Sequence, residues 1–459
     1  MKSSKTQVQA KIHGILPVRF EEQDLTSYSG LLIFQALFQR LELKSRLRAC
    51  LARHGSTPAY GRPLVMLLLI VHLLLGGRRL REIDYLQGDP LVLRVVGLRR
   101  LPDVSTISRT LASTTAADVD GLRELVRSDV VHDLRRETIG RVTLDFDGSV
   151  LSTKGHAEGS AVGYNPKKKG ARSYYPLFCT VAQTGQFLDL HHRPGNVHDS
   201  HGALRFMADC FERLWGEFDG ALAFESRIDA AFFDWWTVAL MEDYDVRFTA
   251  AVPFARLPEL KGMIESRERW RRIDGEWSFF EREYRPKSWE KACRFLFFRK
   301  RAPKRSKQPV QLDLFAPVDF DYEYKVVVTN KREAAKAVLA FHHGRGAQEA
   351  LFGEAKSGAG LDVVCGKRLY ANQCFTLCSM LAHNLGRTLQ MLAKPQAGRA
   401  DAKRPALWLF DTLATLRRLV LQRAGRLIRP QGRLTLSLSA NRRVETEFGR
   451  YLDAVQKSA

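Results

Sequence analysis

At Arg141 the hydrophobic period of the chain changes, and that change limits the available folds more than any other feature. Before it, over roughly residues 25–135, apolar residues recur at helical spacing, as in Leu31, Ile33, Leu37 and Leu41. Pro63 is placed to open a further helix and Gly76-Gly77 to close it. After it, Val142-Thr143-Leu144-Asp145-Phe146-Asp147 alternates with the period of a strand. Further strands are expected over 175–181, 186–190 (after a turn at Gly185), 221–228 and 245–252, with helices over 200–214 and 234–244. The order strand-strand-strand-helix-strand-helix-strand describes an α/β fold, a mixed sheet with helices packed on it.

Residues 253–324 interrupt this pattern. They are rich in aromatics, among them Trp270, Trp277, Phe280, Trp289 and Phe297, and they alternate like β-structure. A basic loop runs from Arg299 through Lys307. One more strand is expected over 325–328, then a helix over 332–354. Residues 361–392 read as mostly helical, 395–404 as a linker and the remainder as a basic helical tail. Near the front, Leu101-Pro102-Asp103-Val104-Ser105-Thr106-Ile107-Ser108-Arg109 reads as a turn feeding a capped helix. A helix-turn-helix and a plain helical bundle are both compatible with it.

The charge balance narrows the partner. Lys and Arg number 72 against 50 Asp and Glu, a net charge of +22. Such an excess points to a polyanion, with nucleic acid ahead of an anionic membrane surface. The longest apolar run, 64–76, contains His72 and is too short to span a bilayer, so no membrane role is expected. The seven cysteines are dispersed with no C-x-x-C pair, which suits a reducing cytoplasm and argues against structural zinc. His191, His192, His198 and His201 match no helix-borne zinc spacing and are expected in surface and turn roles.

Three scattered acids attract notice. Asp145 and Asp147 stand two apart on the first strand and so share a face. An acidic pair in an apolar strand is costly to bury unless ligated or hydrogen-bonded. Asp229 ends the apolar run that begins at Ala221, at the strand end where open α/β sheets carry their chemistry. Arg345, Glu349, Phe352 and Lys356 are spaced by four, three and four residues, which places them on one helix face. Phosphodiester cleavage by two metals needs such convergent carboxylates, holding the ions about 3.5–4 Å apart beside the attacking and leaving oxygens. Glu349 suits a metal; Arg345 and Lys356 suit phosphates.

The segment His342-His343-Gly344-Arg345-Gly346-Ala347-Gln348-Glu349, followed by Lys356-Ser357-Gly358, resembles the Y-x2-R-x3-E-x6-K signature of bacterial insertion-sequence transposases of the DDE class. Leu144-Asp145-Phe146-Asp147-Gly148-Ser149 is similar to that family's first-acid strand, and Arg227-Ile228-Asp229-Ala230-Ala231-Phe232 to its second-acid segment. Thr329-Asn330 and Ala382-His383-Asn384-Leu385 also resemble segments that flank the catalytic helix.

The resemblance implies a ribonuclease-H-like catalytic core, whose strand order is the one read above, with a β-rich insertion before the last acid. The chain then divides into a helical DNA-binding region (1–135), the first part of the core (136–252), the insertion (253–324), the second part of the core (325–394) and a basic C-terminal region (395–459). Asp147, Asp229 and Glu349 become the catalytic metal ligands, with Asp145 the alternative first acid, and the cofactor is two Mg²⁺ ions per site, replaceable by Mn²⁺. The partner is double-stranded DNA, both element ends and target, in a bacterial, nucleoid-associated setting. A homodimer or higher oligomer on paired ends is expected.

Two departures from the signature stand out. Its tyrosine position is His342, whose imidazole is an alternative donor to a DNA phosphate and a source of pH sensitivity. Gly346 follows the signature arginine where some relatives carry an aromatic that stacks on a flipped base, leaving Trp277 or Trp289 as the replacement if flipping occurs. Arg345, Lys356 and His342 are joined as DNA-contact candidates by Lys167, Lys168, Lys169 and Arg172 of a basic loop between early strands. Two other functions remain compatible with the sequence: a stand-alone metal-dependent nuclease and a non-catalytic DNA-binding protein.

Overall fold

The computed structural model describes residues 18, 20–21, 23–51, 60–165, 168–301, 322–397 and 406–457. The helical opening comprises α1 (Leu31–Arg40), α2 (Leu43–Leu51), α3 (Arg62–Leu74), α4 (Pro90–Val96), α5 (Val104–Ala112) and α6 (Ala116–Arg136). Gly61 and Pro63 open α3, and its residues from Val65 to Leu74 are all buried. Such an all-round apolar helix must lie inside other helices. Helix α6 is held at its start by a reciprocal cap: Thr115 accepts from the Asp118 backbone N–H while the Asp118 carboxylate accepts from Thr115.

The strands and helices expected after Arg141 appear in their expected order. They run β1 (Arg141–Gly148), β2 (Leu177–Val181), β3 (Gln186–His191), α7 (Ala203–Glu217), β4 (Ala223–Ile228), α8 (Trp235–Asp243) and β5 (Arg247–Val252). Gly185 makes the β2–β3 turn in the left-handed region, at φ +60°. Strands β6 (Arg271–Arg272), β7 (Trp277–Tyr284), β8 (Cys293–Arg301) and β9 (Tyr322–Thr329) follow. Among the described residues these form one sheet of nine strands in the order β6-β7-β8-β9-β5-β4-β1-β2-β3. Strands β1, β4 and β5 are mutually parallel, and every other pairing is antiparallel. The aromatic stretch is therefore continuous with the core sheet: β9 adds to β5, and β8 and β7 extend the edge.

Period-two alternation on β1 sorts its side chains. Val142, Leu144 and Phe146 enter one core, where Phe146 meets Phe206 and Phe211 of α7 edge-on. Thr143, Asp145 and Asp147 take the opposite face. That face is covered by α10 (Ala335–His343), α11 (Gly346–Ala359) and the long α12 (Leu369–Ala393). Phe352 of α11 packs edge-on against Phe178 and Phe187 of the sheet. Buried Asn384 of α12 donates to the Phe187 carbonyl and accepts from its N–H, and His383 Nε2 lies 3.0 Å from the Gly185 carbonyl.

Helix α12 also packs on α3 and α6, so the N-terminal helices share one continuous hydrophobic core with α11, α12 and the C-terminal segment. That segment is not wholly helical. It contains β10 (Gly425–Ile428) and β11 (Thr435–Leu438) before α13 (Arg442–Lys457). β10 pairs with a short strand at Leu25–Thr26, joining the two ends of the described chain. No helix among the described residues is long and apolar enough to cross a membrane.

Candidate active site

Asp145 lies in the interior, 1% exposed, and faces Arg227 across the parallel β1–β4 pairing. The guanidinium closes a two-point ion pair on it, Nε to Oδ1 at 2.8 Å and Nη2 to Oδ2. Burial pushes the Asp145 carboxyl up while Arg227 pulls against that shift. Asp145, the alternative first acid, is thus fully engaged in holding two strands together. Arg227 is the residue that sequence reasoning missed: a charged residue two positions before Asp229 in a buried strand needs a partner, and parallel register supplies it.

Asp147, two residues on, reaches the strand end. Its Oδ1 accepts from the Gly148 N–H at 2.9 Å. Asp229 leaves β4 as the cap of a short turn, its Oδ1 accepting from the Ala230 N–H at 2.7 Å. The two acids are brought together by one group: Arg345 Nη2 lies 3.3 Å from Asp147 Oδ2 and 2.9 Å from Asp229 Oδ2. Burial raises the Asp147 carboxyl to about 6; Arg345 lowers it, while Asp229 and then Asp199 add to the rise. Two acids facing each other need a cation between them, and Arg345 is the cation present.

Arg345 stands where the expected single helix over 332–354 breaks. Helix α10 ends at His343, Gly344 caps it, and α11 starts at Gly346. Glycines on both sides of Arg345 explain the break, since each is a poor helix-interior residue. Gln348 pins the new helix to the sheet, its Nε2 donating to the Asp145 carbonyl and to Thr180 Oγ1, both at 3.0 Å. Glu349 sits on the exposed first turn of α11, four residues beyond Arg345. The structure joins Asp147 to Asp229 but does not draw Glu349 onto them; among the described residues no three His, Cys, Asp or Glu side chains converge closely enough to hold a metal ion.

The DNA-contact candidates divide. Lys356 is half-buried with its Nζ 5.9 Å from the Phe352 ring centre. Lys168 and Lys169 are exposed. Arg172 is tied to Ser160, its Nε donating to Oγ at 3.1 Å. Lys167 lies outside the described residues. His342 is 6% exposed, with Nδ1 3.1 Å from Thr249 Oγ1, and burial lowers it to about 3. It packs into the sheet rather than presenting an imidazole to solvent. Trp289 is also interior, packed against Phe233, Trp235 and Phe295, whereas Trp277 is half-buried beside His343. Of the four histidines read as surface and turn residues, His198 braces a turn through Ser200, and His192 is half-buried with its ring edge-on to Tyr174.

Hard divalent cations take oxygen ligands. The carboxylates of Asp147 and Asp229 fit that demand: both already face a single positive centre, and Asp147 is partly buried and short of solvent.

No curated protein matches the sequence. Among solved structures, a piggyBac transposase synaptic complex with hairpin DNA, determined by cryo-EM, is similar at 12% identity over 78% of this chain and 75% of that one, with a TM-score of 0.36. The family model for the transposase DDE domain, group 1, matches residues 9–459. That match takes in every element described above, and the chain belongs to this transposase family.

Proposed function

We propose that the protein binds the terminal inverted repeats of its own insertion sequence, cleaves them and transfers the freed 3′ ends to target DNA. The observation that carries this reading is the meeting of Asp147 and Asp229 at one guanidinium, at the ends of two adjacent parallel strands. The strand order β3-β2-β1-β4-β5, with the first three antiparallel and the last three parallel, supports reading this part of the sheet as a ribonuclease-H-like core.

In this reading Asp147, Asp229 and Glu349 hold two Mg²⁺ ions, or Mn²⁺ in their place. When bound, the ions lower the charge barrier at the scissile phosphate and activate the attacking oxygen. Arg345 occupies the cation position between the first two acids and shares its helix start with Glu349. Withdrawal of Arg345 toward a DNA phosphate and approach of Glu349 are therefore one movement of the α11 N-terminus about Gly344 and Gly346. Lys356, Lys168 and Lys169 contribute phosphate contacts along the same approach. Paired element ends require at least two protomers on DNA.

The test is cleavage and strand transfer on duplexes carrying the element ends. Asp147→Ala, Asp229→Ala and Glu349→Ala should each abolish both steps in Mg²⁺ and Mn²⁺ while leaving end binding intact. A variant that cuts at the wild-type rate removes its residue from the site. Cleavage without strand transfer by the wild-type protein would favour a nuclease.

A further inference from the structure

Behind Asp147 lies a group of side chains that the preceding assignment leaves unused. Tyr175 follows the short strand Arg172–Tyr174, and its ring lies against the backbone of Gly148: a Cβ placed there would come within 2.4 Å of Tyr175. Only glycine admits the ring so close to the residue after Asp147. The Tyr175 hydroxyl donates to Asp199 Oδ1 at 2.5 Å.

Asp199 is held in turn. Arg193, 2% exposed, lies 5.3 Å from the centre of the Tyr175 ring. Its Nη1 donates to the carbonyls of Asp199 and His201, both at 2.8 Å, and its Nε donates to the Tyr175 carbonyl at 3.0 Å. One buried guanidinium thus fixes the loop bearing Asp199 and the strand end bearing Tyr175. The Asp199 charge is felt at Asp147, where it adds to the rise of that carboxyl.

We propose that Tyr175 and Asp199 are a positioning pair for Asp147: Asp199, anchored by Arg193, holds the Tyr175 hydroxyl, and the fixed ring sets the strand end from which Asp147 presents its carboxylate to a divalent cation. The proposal rests on the reading of Asp147 as a metal ligand. Neither residue touches the cation. A carboxylate ligand left to wander loses affinity because its ordering then opposes binding, and outer partners of metal ligands are worth about 10–100-fold in metal affinity.

The test is a Mn²⁺ titration of the full-length protein followed by electron paramagnetic resonance, with thermal melts as a check on folding. Tyr175→Phe, which removes one oxygen, and Asp199→Ala should each weaken Mn²⁺ binding by about tenfold with the melt unchanged. The double variant should bind no more weakly than either single one, since both break the same link. Asp199→Asn keeps an acceptor for the tyrosine though not the charge, and should bind Mn²⁺ more tightly than Asp199→Ala. Wild-type binding by Tyr175→Phe and Asp199→Ala, additive losses, or an Asn variant as weak as the Ala variant would each overturn the pair. Asp147→Ala separates the two layers of argument. If it binds Mn²⁺ like wild type, the metal reading falls and the pair with it. If it loses Mn²⁺ while Tyr175→Phe and Asp199→Ala do not, only the pair is overturned.

Discussion

Asp145 and Arg227 face each other across two parallel strands as a two-point ion pair wholly out of solvent. Removing one partner strands the other's charge in the interior, which costs about 3–5 kcal/mol. Asp145→Ala should therefore lower the melting temperature sharply and lose activity through instability. Replacing both residues by apolar ones, Asp145→Leu with Arg227→Met, should recover much of the lost stability. A folded, wild-type-stable Asp145→Ala protein that has lost only Mn²⁺ binding would return Asp145 to the metal site.

Arg345 competes with any cation for Asp147 and Asp229. Arg345→Gln should bind Mn²⁺ more tightly in the absence of DNA, on the order of tenfold, because a positive charge at this range opposes a second one strongly. The same variant should bind element ends more weakly and should not cut. Unchanged Mn²⁺ affinity in calorimetric titration would show that the guanidinium does not guard the site.

Acid should destabilise the protein through buried histidines. Burial lowers His72 to about 4 and His192, His342 and His383 to about 3, from an ordinary value of 6.5. Between these values and 6.5 the unfolded chain binds protons that the folded one refuses, so stability is full above 6.5 and is lost as pH falls through that window. Asp129 and Asp147, each raised to about 6, and Asp145, also raised, work the other way as pH falls, but the four histidines outnumber them. Thermal melts should shift downward from pH 7 to pH 5. A flat or rising profile would contradict the burial of these imidazoles in solution.

Binding to DNA should weaken steeply with salt, as phosphate contacts release counterions. Neutralising exposed Lys168 and Lys169 together should reduce the log–log slope by roughly one unit for each phosphate that goes without its lysine. An unchanged slope takes this loop out of the interface.

Pairing of ends should appear as mass. Light scattering with end DNA should give at least two protomers per complex, and two-ended substrates should be cut faster than one-ended ones. One protomer per end, cutting isolated ends at full rate, would refute paired assembly.

Much of this protein is legible in its sequence because the information is local. Alternation from Val142 to Asp147 dictates a strand and puts Asp145 and Asp147 on one face, since successive strand side chains point to opposite sides. The three-strand, helix, strand, helix, strand order follows from period and turn residues alone, and it places Asp229 at a strand end. What local pattern does not carry is register. Only the parallel alignment of β1 with β4 sets Arg227 opposite Asp145, and that alignment engages Asp145 in an ion pair while leaving Asp147 at the strand's end. The glycines that break the helix on both sides of Arg345 are visible in the sequence, but where the second helix docks is not: Gln348 ties it to the sheet at Asp145 and Thr180. His342 reads as a donor to a DNA phosphate at the signature's tyrosine position, but it packs inward against Thr249. The pairing of Leu25–Thr26 with β10, and the single core shared by the N-terminal helices and α12, join segments far apart along the chain. Contacts of that range follow from how much apolar surface all the elements bury together, which no stretch of sequence specifies by itself.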